Sequence, residues 1–424
     1  MRVLQAFVNA EHVGTLREQD DIWEFEYAPT WMSARSVFDL SPALPRDVGL
    51  HRDGSTQRPV QWFFDNLLPE EQMRTVLAKE ASRSADDAFG LLEHYGAESA
   101  GALTLLPDGM PPEQQHDLRP LPFDELSERI RRLPDVPISR GSLKKMSVAG
   151  AQHKLLVVFD GATLYEPASQ GTVSTHILKP QHPGADYPGS VANEYFTMRL
   201  ADLAGLAVPE VFLLHVPEPV YLIKRFDRDG QNRLHAIDAC QLLNKSRTFK
   251  YSSANLDSIS DLIGRTRARA AARLEIYRWL CFNLLVGNGD NHLKNLSFLA
   301  GPAGVDLAPA YDLLSTSAYD TRALAGDNAR WPATGLALSI MDKTRFDQIT
   351  REDVIAAGAR LGLSRNTAER TLNSIIDKAM AAAPSLVDEV AAQSSGLQRA
   401  SDLRVLNVIV RIVMTEMAQR LSAA

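Results

Sequence analysis

The chain has 424 residues, 45% of them hydrophobic and 23% charged, with a formal net charge of −7. That length predicts two or more packed units, and the acidic balance argues against a protein that coats nucleic acid by bulk electrostatics. Two cysteines, Cys240 and Cys281, are too few for a disulfide framework or a thiolate zinc site. Both lie in apolar runs and read as buried small hydrophobes.

The opening MRVLQAFVNAEHVG lacks the charged start, long apolar centre and cleavage site of a secretory signal. No run reaches the roughly eighteen uninterrupted apolar residues of a membrane span, so a cytoplasmic location and no membrane partner are expected. Residues 1–106 begin with strand-like runs, VLQAFV, GTLREQ and IWEFEY, and continue with a helical stretch around QWFFDNLLPEEQMRTVLAKEA. Asp65 and Asn66 inside that stretch read as helix caps. The proline-rich run LPDGMPPEQQHDLRPLP breaks the periodicity, and 107–142 is expected to be a linker with a helix.

From Leu143 to residue 268 the runs KLLVVF, HILK and VYLIKRF read as strands and 191–203 as a helix. Residues 269–286 are helical, with Ile276, Leu280 and Leu284 recurring four apart beside Tyr277, Cys281 and Leu285. Residues 351–383 also read as helices. The last helix, 401–421, carries Leu406, Val410, Val413, Met417 and Leu421 on one stripe, with Ser401 and Asp402 available as its N-cap.

The chemistry concentrates in GNGDNHLKN, residues 287–295. Asp290 and Asn295 have the D-x-x-x-x-N spacing of a kinase catalytic loop, in which the Asp orients the acceptor hydroxyl and the Asn holds Mg²⁺. By itself this is equally a glycine-stopped helix followed by an Asx-rich turn. Asp312, in PAYDLL, is available as a second Mg²⁺ ligand. Upstream, the small-residue turn SVAGAQ would let backbone N–H groups approach phosphates. Lys179 ends a strand as the phosphate-gripping lysine of kinases does, and Glu194 lies on the following helix as its ion-pair partner. Each alone is weak, but their order along the chain favours a kinase. Lys224, Arg225 and Phe226 fall where the two lobes would join, and His292 is assigned to phosphate contact or structure because no second ligand stands at metal spacing.

SVAGAQ-x-K, THILKP, NEY, RFDR, GNGDNHLKN and PAYDLL, in this order, resemble the HipA-type serine/threonine kinase toxins of bacteria. GTLREQDDIWEFEYAPTW, FFDNLLPE and FGLLEHYGAESAGALTLLP resemble the N-terminal domain of the same family. The resemblance implies an α+β fold with two lobes, of the protein-kinase and phosphatidylinositol-kinase type. A β-rich accessory domain would occupy 1–106, a nucleotide-binding lobe 143–268, and an all-helical part with the catalytic loop 269–424.

It further implies ATP and Mg²⁺ as cofactors and Asp290 as catalytic base, with Asn295 and Asp312 on the metal. ATP contacts are implied at Ala149, Gly150, Ala151, Gln152, His153 and Lys154, at Lys179, at Lys224, Arg225 and Phe226, and at His292, Leu293, Lys294 and Asn295. Ser147 becomes an autophosphorylation site, where a phosphate would add nearly two negative charges beside the ATP loop. The implied partners are a HipB-type helix-turn-helix antitoxin, operator DNA through the antitoxin complex, and a protein substrate of the aminoacyl-tRNA synthetase kind. His153, Asn291 and Lys224 depart from the family pattern. Two other readings stay open, a corepressor without significant turnover and a small-molecule or lipid phosphotransferase of the same fold.

Overall fold

The computed structural model describes residues 1–34, 37–113, 115–142, 150 and 152–423. The alternating apolar pattern of the N-terminal region becomes a five-stranded antiparallel sheet. Its strands are β1 (Arg2–Val8), β2 (Glu11–Gln19), β3 (Ile22–Tyr27), β4 (Leu50–Arg52) and β5 (Leu103–Pro107), in the spatial order β4-β3-β2-β1-β5. Leu4, Ala6, Leu16, Trp23 and Phe25 face inward, as period-two alternation requires.

Four helices cover this sheet: α1 (Pro29–Ser33), α2 (Pro59–Asp65), α3 (Glu71–Glu80) and α4 (Ala88–Tyr95). The stretch expected to be one helix is therefore two, α2 and α3, interrupted around Pro69, which cannot donate a helical hydrogen bond. Asp65 ends α2 and Asn66 is its C-cap residue. Asn66 Nδ2 donates to the Trp62 carbonyl at 2.7 Å and so caps the end of α2, as expected, whereas the Asp65 side chain caps no helix. Asp65 pairs with Arg74 at 2.7 Å and Arg247 at 2.9 Å, and Asn66 reaches Lys245 and Lys294.

The second sheet has six antiparallel strands: β6 (Leu118–Pro120), β7 (Leu155–Phe159), β8 (Leu164–Pro167), β9 (His176–Pro180), β10 (Val211–His215) and β11 (Pro219–Lys224). Their order is β10-β11-β9-β7-β8-β6. The expected linker thus contributes an edge strand, β6, whose Arg119 pairs with Glu125 and Glu166. Leu178 and Leu222 point to one face and pack with Leu155 and Val157 against α5 (Phe123–Arg131). Ile177 and Lys179 on β9 and Tyr221 and Ile223 on β11 point to the other, where the register sets Lys179 opposite Tyr221. The helix α6 (Ser190–Ala204) packs on this inner face and is buried along most of its length.

After the short hairpin β12 (Arg228–Asp229) and β13 (Asn232–Arg233), the strand β14 (Ala236–Asp238) joins β15 (Ser297–Gly301) and β16 (Gly304–Leu307) in a three-stranded sheet. Between them come α7 (Ala239–Leu242), α8 (Leu256–Arg265) and α9 (Arg269–Val286). The second half of α9 is buried all round, so its apolar residues exceed a single stripe. Beyond β16 follow α10 (Arg322–Ala325) and the hairpin β17 (Gly335–Ile340) and β18 (Lys343–Arg345). The last helices are α11 (Arg351–Arg360), α12 (Arg365–Ala392), α13 (Gly396–Val408) and α14 (Thr415–Ser422).

The C-terminal part, expected to be all-helical, is helical apart from these hairpins. Ser401 and Asp402 do not cap the last helix, because α13 already begins at Gly396. Asp402 is buried and accepts from Ser394 Oγ at 2.8 Å and Gln398 Nε2 at 2.7 Å, so its carboxylate is satisfied by the preceding turn. A π-helical turn, Ile409–Met414, joins α13 to α14 and turns Val413 onto Gly287. Among the described residues no helix is long and apolar enough to cross a membrane. Both cysteines are buried and free.

Candidate active site

The inner face of the six-stranded sheet, the stretch after α9 and residues 309–320 enclose a cleft of about 1310 Å³. Lys179, Glu194, Asp290, His292, Asn295 and Asp312 all line it, brought together from four separate segments. Lys179 Nζ donates to Glu194 Oε1 at 2.7 Å and to Asp312 Oδ1 at 2.6 Å. Burial works against this ammonium, but the two carboxylates outweigh it and raise its pKa.

The carboxylates divide unequally. At Asp312 burial pushes the pKa up, yet Lys179, with Lys154 and His292, holds it down to about 2. At the more deeply buried Glu194 burial prevails and the pKa is raised. Asp312 remains one-third exposed to the cleft, whereas Glu194 is only 5% exposed. Asp312 stands at φ 57°, in the left-handed region. Its neighbours hold it there: Tyr311 Oη donates to the Lys294 carbonyl at 2.7 Å, and the Ser315 N–H donates to Asn193 Oδ1 at 2.8 Å.

The helix α9 ends as the glycine predicts. Gly287 takes φ 67°, and a Cβ there would lie 2.5 Å from Val413 Cγ1. A Cβ on Gly289 would lie 2.7 Å from the Gly335 carbonyl oxygen, so this glycine serves close backbone approach. Asn288 Oδ1 accepts the Asp290 N–H at 3.1 Å, and the Asp290 carbonyl accepts from the His292 N–H at 2.8 Å and Asn295 Nδ2 at 2.9 Å. The local Asx turn and the D-x-x-x-x-N spacing are therefore one object, the turn that seats Asp290 beside Asn295. Asp290 Oδ1 accepts from Tyr251 Oη at 2.8 Å. Burial raises the Asp290 pKa against the opposing pull of His292 and that hydrogen bond.

Other expected contacts fall differently. Gly150, Gln152 and Lys154 line the cleft; Gly150 has φ 116°, and a Cβ there would stand 2.3 Å from Lys154 Nζ. Burial and the nearby Lys179 lower the Lys154 pKa to about 8. Ser147, Ala149 and Ala151 lie outside the described residues. His153 is half-buried and does not line the cleft.

Leu293 is fully buried in the core, so its side chain does not face the cleft. Lys294, expected to face phosphate, lines the cleft, with its ammonium held by Asn66 Oδ1 at 2.9 Å, the Asn66 carbonyl at 3.0 Å and Asp238 Oδ2 at 2.5 Å. Those acceptors satisfy a buried cation that water would otherwise solvate. Lys224, Arg225 and Phe226 line the cleft as expected, but the N–H groups of Lys224 and Arg225 are already donated to the Glu210 and Thr175 carbonyls, each at 2.9 Å. The Arg225 guanidinium is buried with Asp227 and Glu98, the Lys224 side chain is exposed, and the Phe226 ring lies 5.6 Å from that of Tyr311.

Tyr251, Tyr311, Asn66, Glu70, Lys250 and Asp238 were not anticipated. Asn66 and Glu70 lie in the FFDNLLPE stretch and Tyr311 in PAYDLL, whereas Tyr251, Lys250 and Asp238 carried no local signal.

Residues 4–106 match the HipA N-terminal domain and residues 146–385 the HipA-like C-terminal domain. The Sinorhizobium fredii protein Y4mE is 34% identical over 407 residues, 92% of this chain and 93% of that one. The serine/threonine-protein kinase toxin HipA of Shewanella oneidensis is 32% identical over 370 residues, 82% of this chain and 80% of that one. A solved structure of HipA with HipB and operator DNA, from the toxin–antitoxin system of Shewanella oneidensis MR-1, superposes with a TM-score of 0.76 at 26% identity. That match covers 99% of this chain and 100% of the other. The chain therefore belongs to the HipA family of serine/threonine-protein kinase toxins.

Proposed function

We propose that the chain transfers the γ-phosphate of Mg-ATP to a serine or threonine hydroxyl of a protein, with Asp290 as the group that accepts the hydroxyl proton. The observation that carries this reading is the Lys179 ammonium bridging Glu194 and Asp312 in the same cleft as Asp290 and Asn295. Phosphoryl transfer depends on positioning and charge neutralisation more than on covalent chemistry, and these are the groups that supply both.

Lys179 holds the phosphates, with Gly150, Gln152 and Lys154 beside them. The Asp312 carboxylate and the Asn295 amide oxygen suit a hard cation such as Mg²⁺. Among the described residues no group of three or more His, Cys, Asp or Glu side chains could hold a metal. Two protein ligands completed by phosphate oxygens and water fit Mg²⁺ under that condition. Bound Mg-ATP supplies the phosphoryl group and neutralises charge on it. Asp290, seated by Asn288, Asn295 and Tyr251, orients the acceptor hydroxyl and takes its proton.

On this view 1–106 is accessory, 107–142 leads into the nucleotide-binding lobe and contributes β6 and α5 to it, 143–268 forms the rest of that lobe, and 269–424 carries the catalytic loop. In this reading Ser147 is the chain's own phosphorylation site and a HipB-type antitoxin is its partner, through which it corepresses an operator. An aminoacyl-tRNA synthetase is the proposed class of target. The relative solved with HipB and operator DNA supports the partner.

Intact-mass measurement after incubation with Mg-ATP tests the core of the proposal. The wild type gains phosphate at Ser147, and Asp290→Ala gains none while still binding ATP. Equal incorporation by both would refute Asp290 as the base, and none by the wild type would refute the kinase reading.

A further inference from the structure

The loop between α2 and α3 belongs to the N-terminal domain, yet it lines the cleft beside the catalytic stretch. Glu70 Oε2 accepts from Lys250 Nζ at 2.6 Å, and its other oxygen lies 3.6 Å from Lys294 Nζ. Lys294 also binds Asp238, so two ammonium groups face two carboxylates in one cluster. All four side chains are 11% exposed or less. Glu71 adds a third carboxylate at the rim, 2.9 Å from Lys250, and takes the unusual φ of 50°.

From Lys250 the connection runs to Asp290. The Lys250 carbonyl accepts the Leu293 N–H at 3.2 Å, tying it to the catalytic stretch. Lys250 Nζ lies 4.9 Å from the ring centroid of Tyr251, its chain neighbour. Tyr251 in turn packs edge-on against His292 at 5.0 Å and gives its hydroxyl hydrogen to Asp290 Oδ1. That hydrogen bond restrains the Asp290 carboxylate through one of its two oxygens.

We propose that Glu70 is a positioning residue for phosphoryl transfer: by clamping Lys250 and Lys294 it holds Tyr251 on Asp290, and the N-terminal domain thereby completes the catalytic centre. This rests on the reading of Asp290 as the base.

The electrostatics give the reason. Without the Glu70 charge, Lys294 keeps Asp238 while Lys250 keeps only the rim carboxylate Glu71, and repulsion between the two ammonium groups is relieved by moving Lys250 outward with Glu71 toward solvent. Tyr251 moves with it. A proton acceptor must lie within hydrogen-bond reach of the hydroxyl, and a displacement of about 1 Å costs roughly 100-fold in rate. Among the described residues, no hydrogen bond or ion pair joins Lys179, Glu194 or Asp312 to Glu70, Lys250 or Tyr251, and the charge of His292 acts on Asp312 from this side.

The test uses the full chain and measures phosphate incorporation into it at saturating Mg-ATP, with binding of a non-hydrolysable ATP analogue measured by calorimetry. Glu70→Gln is expected to lower the rate roughly 10- to 100-fold while analogue affinity stays within about twofold. Tyr251→Phe, on a ring 45% exposed, is expected to act in the same direction without disturbing the fold. The double variant is expected to fall no further than Glu70→Gln alone, because both break one connection. Wild-type rates in folded Glu70→Gln and in Tyr251→Phe, or fully additive losses, would overturn the proposal. Should Glu70→Gln fail to fold, an unchanged rate in Tyr251→Phe overturns it on its own. Asp290→Ala separates the two levels: if it is inactive while Glu70→Gln and Tyr251→Phe run at full rate, only the positioning role falls. If Asp290→Ala itself runs at full rate, the base assignment falls.

Discussion

Glu98 offers the most direct test of how the N-terminal domain is bonded to the rest. It sits between α4 and β5, and its Oε1 accepts from Ser174 Oγ at 2.6 Å, Ser174 N at 3.2 Å, Arg228 Nη2 at 3.0 Å and Arg225 Nη1 at 3.3 Å. Asp227 completes the cluster, paired with both arginines, and Gly101 donates its N–H to Asp227 Oδ2 at 2.7 Å.

Two carboxylates pair with two guanidiniums, all four side chains being 8% exposed or less, and the buried Arg233 adds to the positive side. Glu98→Gln removes one negative charge and leaves a net positive charge in a dry interface. Breaking a buried pair in this way costs about 3–5 kcal/mol. With a urea slope of roughly 2 kcal/mol per molar, the midpoint should fall by about 2 M. Because Arg225 anchors the strand end at 224–226, the ATP concentration for half-saturation should rise as well. Pairing Glu98→Gln with Arg228→Met restores the charge balance and should recover most of the lost stability. A midpoint shift in Glu98→Gln corresponding to less than about 1 kcal/mol would refute the reasoning, since it would mean that water already solvates the cluster.

Lys179→Met leaves Glu194 and Asp312 without the cation between them; a loss of more than roughly 100-fold in the rate per ATP concentration is expected, and a rate within threefold of wild type would contradict the phosphate-holding role. His235 is buried, stacks on Phe38 and hydrogen-bonds the Leu40 carbonyl at 2.8 Å, and burial lowers its pKa to about 4. A folded pKa below the ordinary value of about 6.5 means that stability is complete above about pH 6.5 and lost as the pH falls toward 4, by at most about 3 kcal/mol. Acid unfolding of His235→Gln should lack that slope, and identical profiles would remove His235 as the cause. Chelation by EDTA should stop phosphate incorporation and added Mg²⁺ restore it, with Asp312→Asn raising the Mg²⁺ concentration required; an unchanged requirement would exclude Asp312 as a ligand.

Much of the frame was readable from local pattern. KLLVVF, HILK and VYLIKRF became β7, β9 and β11, and α9 spans the expected residues and stops at Gly287. Alternation and four-residue recurrence report which side of an element is apolar, and glycine reports where a left-handed residue is needed. The gathering of Lys179, Glu194, Asp290, Asn295 and Asp312 in one cleft was expected from the order of kinase-like motifs along the chain and from the D-x-x-x-x-N spacing.

Contacts across long separations were not legible. Asn66 and Glu70 meet Lys294 and Lys250 across the domain interface, and Glu98 meets Arg225 and Arg228. No periodicity marks such partners, because a charge looks the same in sequence whether it faces water or a buried counter-charge. Lys294 shows the consequence: its place in GNGDNHLKN suggested a phosphate contact, and packing gave it to Asn66 and Asp238. Asp402, named as a cap, became a buried acceptor for the same reason.

The sequence by itself determined the elements and the identity of the groups around the cleft, since local geometry and residue chemistry are encoded over a few residues. Only the tertiary structure decided which charges stay open to the cleft and which are spent joining the N-terminal domain to it. That choice depends on burial, and burial is a property of the whole packed chain.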